Sequence, residues 1–311
     1  MSSQAIDLTD VGSLSGDPRR HRRERIFKSI FLAAALLSIV ISAAIVISLL
    51  GKALLFLTHV DLSTLWSSGW FPRRGQFDLR TVIVGSFLVA GVAMLVAAPL
   101  GLGAAIYLSE FAKPRVRRVL KPILEILAGI PSVVIGFFTL TFISPEIVRT
   151  LVSGAPIFTL MAAGIGVGLL VTPLVASVAE DAMRAVPLAL REGAYGLGAR
   201  KRAVTMKVVF PAAISGIVAS LIIGVSRAIG ETMVVAIAAG GSGGAALTLN
   251  PLESGQTMTA AMTALAIGSD QVKGAQNTFE SLFLLGLLLF LMTFVLNVIS
   301  ERFVRKVRQR Y

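Results

Sequence analysis

The sequence predicts an all-α integral membrane protein with six transmembrane helices. Three observations carry this reading. Of 311 residues, 55% are hydrophobic and only 15% are charged, with a mean hydropathy of +0.82; a water-soluble domain carries about 25% charged and about 45–50% apolar residues. Six apolar runs are each long enough to cross a hydrocarbon core of about 30 Å as a helix of about 20 residues. Lys and Arg collect in alternate connections, twenty-two on one side and five on the other, the asymmetry that places the basic side in the cytoplasm. A cytosolic enzyme, a nucleic-acid-binding domain and a secreted disulfide scaffold are excluded together.

Residues 1–25 are polar and end in a basic cluster, Arg19, Arg20, Arg22, Arg23 and Arg25, and read as a cytoplasmic tail. The first transmembrane segment is 26–57, with its apolar run at 30–57. That run is too long for a cleaved signal, whose apolar part is about 7–15 residues. A membrane-spanning core follows over 79–300, with spans at 81–108, 122–143, 157–179, 211–239 and 281–299, and 301–311 is a second cytoplasmic tail. An even number of spans puts both termini on the same, basic side. The outer loops hold Arg73, Arg74, Arg80, Arg149 and Lys273 against Asp61, Asp78, Glu146, Glu253, Asp270 and Glu280 and are close to neutral. The net charge of +12 therefore faces inward and is read as topology and lipid-headgroup attraction, not as affinity for nucleic acid. Pro99, Pro131 and Pro173 interrupt spans two to four, where kinks are tolerated if neighbouring groups satisfy the freed backbone. The surrounding glycines, among them Gly101, Gly103, Gly129, Gly136, Gly164, Gly166 and Gly168, predict close helix packing.

Several chemistries are absent from the sequence. There is no cysteine, and the two histidines flank the first apolar run, so no metal or haem site is expected and no cofactor is implied. No glycine-rich stretch ends in Gly-Lys-Ser or Gly-Lys-Thr, so the chain is not expected to be an enzyme, and any ATP hydrolysis belongs to another subunit.

Two segments carry positive information. In the loop 181–210, Pro187 can open a helix over 188–197 that contains Arg191, Glu192, Gly193 and Ala194; Gly198 stops it, and Arg200 starts a second basic helix that leads through Pro211 into the membrane. A short helix, a break and another helix make a stiff knob that transmits force to a partner. The plain alternative is a basic helix lying on the membrane surface. The second segment is Ser226-Arg227-Ala228-Ile229-Gly230-Glu231-Thr232 in span five. Counted along one helix from Pro211, Arg227 lies ~24 Å up at 1.5 Å per residue, deep in the hydrocarbon layer, where a charge faces a cavity or a partner. Glu231, four residues on, shares its face. The alternative reading is a self-neutralising pair that ties helices together. The functional reading is an anion way-station: a guanidinium fork matches a tetrahedral oxyanion, and Glu231 orients it and accepts the proton of a monohydrogen phosphate. Elsewhere, Glu125 is expected to pair with Lys121, while Glu180 and Asp181 either cap the inner mouth or reach the loop region.

The loop resembles the EAA loop of ATP-binding-cassette importer permeases. Glu192, Ala194, Gly198 and Pro211 match, while Gly193, Val208 and Phe210 depart from it. The span-five segment, together with 99–110, 128–134 and 180–187, is similar to the permeases of phosphate-specific importers of the PstC type, over about residues 20–308. The resemblance implies a type I ABC importer permease fold (MetI-like) in a bacterial inner membrane. It implies an ATPase coupled through Glu192, Gly193, Ala194, Gly198 and Pro211, and a substrate pathway at Ser226, Arg227, Glu231 and Thr232. The implied partners are a PstA-like permease subunit, two PstB-type ATPase subunits and an external PstS-type phosphate-binding protein. Two other readings stay open: a permease for another oxyanion (sulfate, molybdate or phosphonate), and a proton-coupled secondary transporter using Glu231.

Overall fold

A computed structural model describes residues 18–66, 69–241, 243–268 and 278–307 of a chain that divides into two compact units, Met1–Gly51 and Lys52–Tyr311. The charges read at Asp270, Lys273, Arg308 and Arg310 lie outside the described residues, as does the tail before Pro18. Helix α1, Pro18–His59, provides the described part of the first unit. Its large apolar side chains are exposed all along the helix, from Ile26 to Leu50, as expected of a helix whose surroundings are lipid. It begins inside the stretch read from sequence as tail, because the basic cluster contains no helix breaker after Pro18.

The second unit runs as β1 (Gly69–Phe71), β2 (Gln76–Phe77), α2 (Leu79–Ile106), α3 (Pro114–Ala128), α4 (Ser132–Phe138), α5 (Arg149–Leu151), α6 (Leu160–Arg184) and α7 (Leu188–Gly196). It continues with α8 (Lys201–Val204), α9 (Phe210–Ala212), α10 (Ile214–Ile229), α11 (Met233–Ala238), β3 (Ala245–Ala246), α12 (Met258–Ala266) and α13 (Ser281–Val307). Wide helical turns bridge α4 to α5 and α8 to α9, so each pair is one rod. Five helices can cross a membrane by length and composition: Arg22–His59, Leu79–Phe111, Ser132–Leu151, Leu160–Arg184 and Ser281–Arg305. The sixth span is a bent pair, Lys201–Ala212 and Ile214–Ile229, at 70°.

Two span boundaries differ from the sequence expectation. The run 122–143 is not one helix. Gly129 and Pro131 end α3 and start α4, and α3 itself is strongly amphipathic with no buried residue. The crossing starts at Ser132. The run 211–239 is broken twice, by the bend before Ile214 and by a gap at residues 230–232. At the other end, α13 continues to Val307, into the predicted tail.

The core is built on α2 against α6. Val89, Ala90, Ala93 and Ala97 meet Ala163, Val167, Leu170 and Val171 in one buried cluster that also takes in Ala228, Ile229, Val234 and Val235. Gly164 and Gly168 let the backbones approach. A Cβ on Gly168 would stand 2.8 Å from both the Ala93 carbonyl oxygen and Val96 Cβ. In lipid, van der Waals packing of this kind, not water exclusion, drives association. Replacing Gly168 by Leu should therefore part the two helices and cost at least the roughly 1–3 kcal/mol of core overpacking. A lower melting temperature and a lower detergent-extracted yield would show it; an unchanged melting temperature would mean that the contact is slack. Gly103, by contrast, faces open space, so close packing does not explain every glycine.

The ends of the bundle are polar and tied. At one end, β2-β1-β3 form a small antiparallel sheet, with Trp70 fully buried and Phe77 set edge-on to Phe56 and Trp70 at 5.2 and 5.8 Å. Asp78 caps α2, accepting from the Arg80 backbone N–H at 3.2 Å and the Thr81 hydroxyl at 2.8 Å. At the other end, buried Glu180 of α6 holds α3 through Arg117 (2.7 Å) and Lys121 (2.7 Å). Lys121 also reaches Asp181 at 2.7 Å. Glu180 thus clamps a helix, and Glu125 is exposed with no ion pair to Lys121 among the described residues. Burial pushes the Lys121 ammonium down, but hydrogen bonds to Asp181 and Glu180 and their charges outweigh it and hold it above the ordinary lysine value. A raised lysine keeps its full contribution below its unfolded pKa and loses it only as pH climbs through the folded one. The clamp's cation is therefore constant near neutrality.

Candidate functional site

Helix α10 ends at Ile229. Gly230 donates its N–H to the Ser226 carbonyl at 3.2 Å, and Glu231 donates its own to Ala228 at 3.3 Å. After that the chain leaves helical hydrogen bonding until α11. A break inside a membrane must find partners for its freed backbone. Thr259, near the start of α12, supplies one: its hydroxyl donates to the Glu231 carbonyl at 2.7 Å. That residue carries no signal in the sequence beyond being a threonine early in a helix.

At this break Arg227 Nη1 donates to Glu231 Oε2 at 2.8 Å. The two partners are unequal: the Glu231 side chain is 3% exposed and that of Arg227 47%. The guanidinium carries five N–H donors, and no other hydrogen bond among the described residues reaches it. Glu231 therefore anchors Arg227 from inside, and the rest of the fork is free on the chain's surface. The depth counted along one helix is corrected: with the bend before Ile214, Arg227 stands 13 residues beyond it, ~20 Å along α10. The other two residues of the set are not drawn in. The Ser226 hydroxyl is buried without a partner, and the Thr232 hydroxyl makes only a long contact of 3.4 Å to the Gly230 carbonyl.

The loop expected to be stiff is a helix with a closed end. Pro187 precedes α7. Gly198 donates to the Tyr195 carbonyl at 2.9 Å and Ala199 to that of Ala194 at 3.1 Å, with Gly198 at φ +77°. This is a Schellman terminus, whose left-handed position glycine fills without strain. Leu190 and Ala194 pack on a cluster formed by the ends of α2 and α6 together with Val204, Val209, Ala213 and Ile217 of the segment from α8 to α10. Glu192 and Gly193 face outward, and Leu197 at the tip is 90% exposed. Pro211 sits in the rod just before the bend into α10. Sequence reasoning missed the tether: Arg191 Nη1 donates to Glu110 Oε1 at 2.9 Å, and Nη2 to the Met183 carbonyl at 2.8 Å. Glu110 is buried in the wide helical turn Tyr107–Phe111 that continues α2, where it also accepts from Ser109 at 2.8 Å. The knob is thereby bonded to the spans above it.

A bundle with a stiff loop helix of this kind has known counterparts. Residues 97–310 match the family described as the binding-protein-dependent transport system inner membrane component. The chain belongs to this family. Its members are multi-pass inner-membrane permeases, not enzymes. This permease is 33% identical over 304 residues to the phosphate transport system permease protein PstC of Haemophilus influenzae, covering 92% of this chain and 94% of that one. It is 35% identical over 273 residues to the probable ABC transporter permease protein YqgH of Bacillus subtilis, covering 86% of each. Among solved structures, a bacterial alginate ABC transporter aligns with a TM-score of 0.65 at 16% identity, over 94% of this permease and 98% of that chain. The MetNI methionine ABC transporter aligns at 0.53 and 18%, over 72% and 92%. These likenesses show the fold: a type I ABC importer permease.

Proposed function

We propose that this chain is the permease subunit of an ATP-driven importer for inorganic phosphate, with Arg227 as an oxyanion contact on the pathway and α7 as the element that receives force from the ATPase. The observation that carries the reading is the half-open Arg227, held by Glu231 with the rest of its fork unpaired. Such a group, deep in a span, is costly unless it faces a water-filled path. The relatives named as phosphate permeases support phosphate in particular. The open side of Arg227 fits a pathway shared with a second, PstA-like permease. The exposed face of α7 fits a groove on one of two PstB-type ATPase subunits, and a PstS-type binding protein would deliver phosphate from outside. The positive side, and with it both termini, lies in the cytoplasm. The cycle is alternating access between two states, each favoured by a different ligand.

The test is uptake into vesicles that hold the full complex, with labelled phosphate and labelled sulfate offered separately. Phosphate uptake that needs ATP and survives collapse of the proton gradient is expected. Sulfate uptake without phosphate uptake would overturn the substrate, and uptake abolished by the uncoupler alone would overturn the energy source.

A further inference from the structure

A cavity of about 90 Å³ lies between α11 and α12, lined by Ala236, Gly240, Gly241, Gln256, Thr263 and their neighbours. Room of this size accommodates several waters or one small ion. Its walls are apolar apart from two side chains. Thr263 already donates its hydroxyl to the Thr259 carbonyl at 3.0 Å. Gln256 is 2% exposed, its Oε1 is buried with no partner, and no hydrogen bond among the described residues reaches its Nε2. A buried amide oxygen left unpaired in this way is costly in a membrane protein, and it calls for a water, an ion or a ligand as donor.

The cavity adjoins the break in span five. Ala236 is five residues beyond Glu231, and Gln256 is three residues before Thr259, whose hydroxyl holds the Glu231 carbonyl. Gly240 and Gly241, at φ +76° and +87°, turn the chain at the cavity wall without side chains. A Cβ at Gly241 would stand 2.8 Å from the Gly255 carbonyl oxygen, immediately before Gln256. Gly241 thus keeps this loop pressed against the Gly255 backbone and the Gln256 Cβ.

We infer that this cavity is a second station for a protonated tetrahedral oxyanion, with Gln256 as its contact; the inference rests on the proposed phosphate pathway. A carboxamide donates through Nε2 and accepts through Oε1. It can therefore bond a phosphoryl oxygen and the P–OH of monohydrogen phosphate together, whereas fully ionised sulfate offers it acceptors only. A neutral contact also holds an anion weakly, as passage requires.

The experiment uses the complete importer in vesicles, with phosphate as probe. Gln256→Met keeps the length of the side chain and removes its hydrogen bonding. Phosphate uptake is expected to fall about tenfold, the effect of one lost bond to a charged ligand, with the ATPase still co-purifying and the melting temperature equal to the native or higher. A purely structural glutamine would not lower uptake while leaving stability intact. Native uptake in this variant overturns the station and leaves the proposed function standing, whereas absence of phosphate uptake by the unsubstituted complex overturns both. If the variant fails to assemble, the cysteine-free sequence offers a second route. A single cysteine at Ala264, another lining residue, should react with a charged thiol reagent more slowly when phosphate is present; labelling indifferent to phosphate overturns the station.

Discussion

Arg227→Gln should lower phosphate uptake per assembled complex by roughly ten- to a hundred-fold, the effect of losing a charge-assisted contact of about 1.5–3 kcal/mol, while the permease still inserts and assembles at a lower yield. Two features of the pair make the effect fall on flux. The guanidinium is half-exposed and uses one donor on Glu231, so the substitution removes an available anion contact and no packing in the cluster beneath. Lysine in its place keeps the charge without the planar fork and should give an intermediate rate. Uptake at the native rate in Arg227→Gln, with assembly intact, would falsify the pathway assignment and leave the fold untouched.

The cost to stability comes from the other partner. Glu231 is nearly buried, and a buried carboxylate stripped of its cation is destabilising, although less so here because the lost partner was open to solvent. Arg227→Gln/Glu231→Gln should therefore recover the yield of assembled complex without recovering uptake. Glu231→Gln alone keeps an acceptor for the fork and should retain more flux than Arg227→Gln. If the pair were only a tie between backbone segments, the double variant would restore both readouts together.

The parts of the fold and site that were legible from sequence are those set by long runs or by one residue's backbone chemistry. Six apolar runs and the alternating basic loops gave the class, because bilayer thickness imposes a length that no soluble fold imitates. Pro187 and Gly198 gave the start and stop of α7 within a residue or two, since each acts alone. The failures lie where tertiary partners decide. The apolar residues of α3 and α4 read as one span because hydropathy does not register that Gly129 and Pro131 break the helix and that the basic face of α3 is bonded to Glu180. Span five read as continuous because its break is stabilised from 28 residues away by Thr259. Glu110 and Arg191, 81 residues apart, meet only once α2 and α7 are in place. Gln256 follows a lone Gly255 and carries no signal of its own in the sequence, since its lack of an oxygen partner is a property of the fold.

Gly198→Val should uncouple the importer: ATP hydrolysis continues while phosphate uptake falls by about tenfold or more. The left-handed conformation at φ +77° is a genuine outlier for a β-branched residue, yet nothing lies within 4 Å of where its Cβ would be. The strain is therefore in the backbone alone, with no clash to confuse the result. It is relieved by opening the two closing bonds at Tyr195 and Ala194, which frays the exposed tip that carries Leu197. Glu192→Lys acts differently. It changes the outward face while the helix end stays closed, so it should weaken co-purification of the ATPase, whereas Gly198→Val should keep the subunit bound and lose the stroke. Gly193→Ala fills open space in the same helix and should improve helix stability by up to about 1 kcal/mol without harming uptake. If all three substitutions lowered uptake and ATPase binding in parallel, α7 would be a contact surface only, and the idea that its stiffness transmits the stroke would have to be given up.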